Sequence, residues 1–215
     1  MGSKRLKAIA VRGRGSIEVA QPGRFLDAVN IGFKKIKDSP FSKPLRQGLI
    51  RLRYLPESKH WDTTSLCRNG QDEYWPFEKR IRLMGEHGVP KYITRMLAGF
   101  SCPVGCLPFL EIEEGKYKDT RGITYWANSK GYSQRFDVDD PAASIKFQLF
   151  ANQLGLDSDM ASVVLPWAFE CYERGLLTKE DADGLELKWG NADAMIKLEE
   201  KLAYRQGLGD FWQME

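Results

Sequence analysis

Apolar residues recur at three- and four-residue steps in four stretches of the chain, and each stretch predicts an amphipathic helix. Phe25, Val29, Phe33 and Ile36 give one over 22–36, with Pro22 in its first turn. Ile145, Leu149 and Phe150 give a second over 141–154. Met160, Val163, Val164, Trp167, Ala168, Cys171 and Tyr172 give a third over 160–174, stopped at Gly175. Met195, Leu198 and Leu202, behind an Asn191 cap, give a fourth over 191–206, ending near Gly207. Thr178 to Asp181 has the spacing of a capping box and predicts a further helix start. At the N-terminus the pattern shortens to Leu6–Val11 and Ile17–Val19, two short strands around the Gly-rich turn at 12–15. Two short strands make no stable sheet, so they are expected to edge strands located elsewhere. Residues 39–80, broken by Pro40, Pro44, Pro56, Pro76 and Asn69-Gly70, read as irregular. The fold class is therefore mainly α, with one or two short N-terminal strands.

Charge modifies this picture at one end. Residues 1–55 carry thirteen Lys and Arg against three acids, although the whole chain is only +3. A basic head suits an acidic partner or nucleic acid, and equally a solvated surface. The spaced tryptophans Trp75, Trp126, Trp167, Trp189 and Trp212 fall at helical or capping positions and read as core rather than a base-stacking platform, so nucleic acid is not expected. The 42% hydrophobic content is that of a globular protein and excludes collagen-like and disordered classes. No apolar run has the roughly 18 residues of a membrane span, and no signal-like segment opens the sequence. Both observations predict a cytoplasmic protein that does not engage a membrane.

Two segments carry candidate chemistry. Cys102-Pro-Val-Gly-Cys106 places two thiols on a Pro- and Gly-punctuated loop, where exposed backbone amides can face metal-bound sulfur. Two small residues in a tight turn explain the same letters. Asn152-Gln-Leu-Gly-Leu-Asp157 can be a helix stop at Gly155 followed by an Asp157 cap, or a set of acceptors for the amino groups of a fused heterocycle. Spacing does not choose. Cys67 and Cys171 read as packing residues.

These segments, in this order, resemble the tungsten-dependent aldehyde ferredoxin oxidoreductases. The loop Cys102-Pro-Val-Gly-Cys106 with Glu114-Gly-Lys-Tyr-Lys-Asp-Thr120 is similar to that family's cluster loop, and residues 152–157 to its first pterin motif, D-x-x-G-L-D. Trp167–Gly175, Asp183–Asn191 and Ala203-Tyr-Arg-Gln-Gly-Leu-Gly-Asp210 resemble the helical stretch that follows. The resemblance implies a tungstopterin beside a [4Fe-4S] cluster, aldehyde oxidation to carboxylate, and electron transfer to ferredoxin or another carrier. It implies cofactor contacts from Asn152, Gly155, Leu156, Asp157, Arg68 and Asn69, and metal ligation by Cys102 and Cys106. Residues 1–20 then correspond to the closing strands of an N-terminal β domain, and 21–215 to a helical middle domain of a protein roughly three times as long. The remaining domains are the expected partners, and a homodimer is left open.

The departures from the family pattern shape the expectation. The cluster loop is C-x2-C-x3-C in the family, and its first position falls on Gly99; the fourth ligand belongs to a C-terminal domain. Asn152 stands for the first Asp of the pterin motif, keeping an oxygen acceptor without the charge. The family's Pro-Glu-Tyr-Glu-Thr segment aligns with residues 123–127, which contain no acid. The isolated chain is therefore expected to hold little iron and no activity. The rival expectation is a non-enzymatic helical interaction or scaffold module that kept the family's fold.

Overall fold

The computed structural model of the protein describes Leu6 and residues 8–40, 42–46, 67–124 and 132–211. It is mainly helical, as the periodicity predicts. Helix α1 (Pro22–Asp38) starts at its proline and is followed by the short α2 (Ser42–Arg46). A 3-10 turn at Arg68–Gly70 leads to α3 (Phe77–Met84). Strands β1 (Ile93–Leu97), β2 (Leu107–Ile112) and β3 (Thr120–Ile123) form an antiparallel sheet in that order. Then come α4 (Pro141–Leu154), α5 (Ser158–Glu173) and α6 (Ala192–Tyr204), and a 3-10 turn at Gly207–Asp210.

Local chemistry fixes the helix ends. Asp140 caps α4 by accepting from the amides of Ala142 and Ala143 at 2.9 and 3.2 Å, and Asn191 caps α6 by accepting from Ala194. Gly155, left-handed at φ +75°, closes α4 while the Leu156 amide donates back to the Ala151 carbonyl at 2.9 Å. Asp157 immediately caps α5 through the amides of Asp159 and Met160.

Two hydrophobic clusters organise the body. The first gathers Phe136, Phe147, Leu165, Phe169, Met195 and Leu198 with their neighbours. The second joins Cys67, Trp75, Leu83, Leu110, Ile112, Ile145 and Leu149 under the sheet. Helix α4 contributes to both: Ala143 and Phe147 face the first, Ile145 and Leu149 the second. On β2 burial alternates, with Leu110 and Ile112 inward. Gly122 on β3 gives Leu149 its place, since a Cβ there would stand 2.8 Å from the leucine's Cδ2.

The structure corrects several expectations. The described residues of 6–20 are exposed and irregular, and the predicted strands at 6–11 and 17–19 do not form there. The sheet lies at 93–123 instead, where its strands pair with one another and cover α4. The stretch read as irregular, 39–80, contains α2 and the first turn of α3. Thr178 and Asp181 do make reciprocal cap bonds at 2.8 and 3.1 Å, yet no helix follows. Left-handed Asp183 and Gly184, at φ +54° and +81°, turn the chain after one winding. On α5 the buried side is Ala161, Leu165, Ala168 and Phe169, while Met160, Val163 and Trp167 are exposed. Helix α1 buries none of its residues, including Phe25 and Phe33. No helix among the described residues is long and apolar enough to cross a membrane.

Candidate cofactor-binding loops

The thiol loop is the connection between β1 and β2. Antiparallel pairing of Leu97 with Leu107 holds its two ends together, so residues 98–106 must reverse direction at the sheet's end. Left-handed Ser101 (φ +56°) and Gly105 (φ +65°) make the reversal, and the Cys102 amide donates to the Gly99 carbonyl at 3.1 Å. The thiol of Cys102 is exposed and that of Cys106 half-buried. Hydrogen bonds from the Gly105 and Val104 amides hold the Cys102 thiol below its ordinary pKa, assisted by the charge of Arg46. Arg46, at the end of α2, donates from Nε to the Val104 carbonyl at 2.9 Å and from Nη2 to the Pro103 carbonyl.

Gly99 has open space around it. A Cβ built there meets nothing nearer than the Cys102 Cβ at 4.0 Å. The loop thus has room for a third thiol that the sequence does not supply. Among the described residues, no group of three or more His, Cys, Asp and Glu is arranged to hold a metal ion. The donor set on this loop fits two of a cluster's four ligand positions and does not complete one.

The second candidate, residues 152–157, is the junction of α4 and α5. Its Gly155 and Asp157 have structural duties, as a left-handed helix stop and an N-cap. Asn152 is exposed and Leu156 half-buried. The junction offers a heterocycle the Asn152 amide and the remaining Asp157 oxygen. The third candidate, Arg68-Asn69, is a tight turn with both residues at positive φ, +43° and +54°. Arg68 donates through Nε and Nη2 to Asp72 Oδ2 at 2.8 and 2.5 Å, which raises its pKa. Asn69 donates to Glu170 of α5 at 2.6 Å, and Gln71 to Glu173 at 2.8 Å. The turn is thereby fastened to α5. A cleft of about 420 Å³ beside it is lined by Arg68, Asp72, Trp75, Lys79 and Asp137, whose charges already pair, Lys79 with Asp137 at 2.7 Å. Of the segment aligned with the family's acidic motif, Ile123 and Thr124 are described, and residues 125–127 lie outside the described residues.

Two residues escaped the sequence reading. Arg46 looked like one more cation of the basic head, and only its placement beside the cysteine loop distinguishes it. Glu199 looked like a solvated helix position, yet it is fully buried in α6.

The class defined by this geometry is a mainly helical domain that presents two thiols on an amide-lined loop. Residues 57–212 match the family model described as aldehyde ferredoxin oxidoreductase, domains 2 and 3. The chain belongs to the aldehyde ferredoxin oxidoreductase family. It is similar to a tungsten-containing aldehyde ferredoxin oxidoreductase of Pyrococcus abyssi, 32% identical over 222 residues, and to that of Pyrococcus horikoshii at 31%, each over 98% of this chain and 34% of the relative. It is also 27% identical to an aliphatic sulfonate oxidoreductase, WOR-like subunit, of Pyrococcus furiosus, over 97% of this chain and 33% of the relative. The chain spans about a third of the length of these curated relatives.

Proposed function

We propose that the chain acts as the middle helical domain of a cytoplasmic tungstopterin and iron–sulfur oxidoreductase, inactive until the remaining domains complete it. The observation that carries this reading is the exposed Cys102 sulfur in its amide cradle, within a chain similar to the tungsten-containing relatives over almost its whole length. When bound, the tungsten centre would supply two-electron oxidation of an aldehyde to its carboxylate, with water giving the added oxygen and three protons leaving to solvent, and a cluster would give the two electrons a one-at-a-time exit to ferredoxin or another carrier. Cys102 and Cys106 are the cluster ligands this chain offers. Asn152 and the 155–157 turn would hydrogen bond the pterin, and the Arg68-Asn69 turn braces the C-terminal end of α5 through Glu170.

The test is iron and tungsten analysis of anaerobically prepared chain, alone and co-expressed with both missing domains, beside an aldehyde:viologen assay. The expected result is little metal and no turnover alone, and metal with turnover in the completed protein. The Gly99→Cys variant, for which the loop has room, is expected to bind more iron than the parent chain. Gly99 itself favours a second reading, a scaffold that kept the fold without its metal. Completed protein that takes up no metal and stays inert would select the scaffold.

A further inference from the structure

We propose that Arg46 is the positioning residue of the Cys102 sulfur, acting through the two peptide units between them. In a trans peptide the carbonyl and the N–H point to opposite sides of the same plane. The Pro103 carbonyl and the Val104 amide belong to one such unit, and the Val104 carbonyl and the Gly105 amide to the next. Arg46 holds both carbonyls with its guanidinium fork, Nε on Val104 and Nη2 on Pro103. The two amides at the far ends of these units lie between Cys102 and Cys106 in the chain and point away from the guanidinium, and they lower the Cys102 pKa. The guanidinium therefore fixes two of the peptide units that run from Cys102 to Cys106.

The consequence is both geometric and electrostatic. A fork on two carbonyls fixes the rotation of two successive planes, which a single donor cannot do. A cation on the carbonyl side also polarises each unit so that its N–H becomes a better donor toward negative sulfur. The sequence contains the reason for using α2: the loop is exposed, and its own residues supply no charged donor for these carbonyls among the described contacts. The groove between α1, α2 and Pro103, about 860 Å³, is where the basic head meets the loop, so Arg46 also links these two parts of the chain.

The functional side of this inference rests on the reading that Cys102 is a metal ligand, whereas the clamp stands on geometry. The test therefore uses two readouts on the full 215-residue chain, prepared anaerobically. Amide proton shifts of Val104 and Gly105 are measured by NMR in the parent chain, Arg46→Ala and Arg46→Lys, with circular dichroism as the control for folding. Cadmium(II) titration follows the thiolate-to-metal absorption band, with Cys102→Ser as the control for its origin. In Arg46→Ala both amide resonances are expected to move upfield, and cadmium affinity to fall about tenfold. Arg46→Lys, which keeps the charge and loses the fork, is expected to recover part of each. Unchanged amides, or moved amides with unchanged cadmium affinity, would overturn the proposal. A cadmium band that survives Cys102→Ser would instead defeat the ligand reading, and the amide shifts would still decide the clamp.

Discussion

Glu199 is the residue whose environment departs furthest from its chemistry. Both carboxylate oxygens are buried without a hydrogen-bond partner, and burial pushes the pKa up to about 9, with Lys146 of α4 pulling weakly the other way. The unfolded chain loses this proton near the ordinary value of 4.5, so between the two values the folded state binds more protons. Stability is therefore fully present below about 4.5, falls with rising pH by up to roughly 1.4 kcal/mol per unit, and levels off above about 9. Glu199→Gln removes the ionisation and should flatten this slope, unfolding at higher denaturant than the parent at pH 8 and near it at pH 4.5. Urea melts at both pH values check this. Nothing at residue scale announced Glu199 in the sequence, because a helical Glu with Lys and Glu neighbours has the pattern of a wet face. Asp140, Asp157 and Asn191 were legible for the opposite reason: a cap bonds amides two and three residues away, so its evidence is local.

At the scale of elements, helix existence could be read and helix orientation could not. Helix α5 is apolar nearly all round, so the predicted stripe and the buried stripe can differ by about 100°, one residue's step, and packing against α4 and α6 decides between them. The sheet was invisible because β1 is exposed or half-buried along its length and β3 has four residues, including Gly122. The segment Ala203–Asp210, which carried family resemblance, proves to be an element terminus. Left-handed Arg205 ends α6, the chain folds back, and the Leu208 amide donates to Asp183 Oδ2 at 2.9 Å. Glycine is required by close approach: a Cβ at position 209 would lie 2.1 Å from the Lys201 carbonyl oxygen, which is backbone and cannot swing aside. Gly209→Ala is expected to cost about 1–3 kcal/mol. Gly32→Ala, in the interior of α1 with nothing within 4 Å of the new methyl, should strengthen the helix by up to about 1 kcal/mol and not lower the melting temperature. Calorimetry on the pair separates a crowded turn from a general cost of losing glycine.

At the scale of the whole molecule, α5 and α1 are among the places where the described residues leave apolar surface uncovered. Met160, Val163 and Trp167 stand out from α5, with Phe211 stacked on Trp167 at 6.2 Å, and Phe25, Leu26, Ile31 and Phe33 stand out from α1. Patches on the order of several hundred Å² favour association at roughly 25 cal/mol per Å². The chain should therefore self-associate with rising concentration, and Met160→Lys with Trp167→Lys should lower its light scattering. Scattering that is independent of both concentration and these substitutions would refute this. The division of α4 between the two hydrophobic clusters has one more consequence. A helix that serves two cores cannot leave one without disturbing the other, so the clusters should open together and α4 last of all. In deuterated solvent its central amides, around Ile145 to Leu149, should exchange at the rate of global unfolding, while those of α1, which buries nothing, trade their protons orders of magnitude sooner.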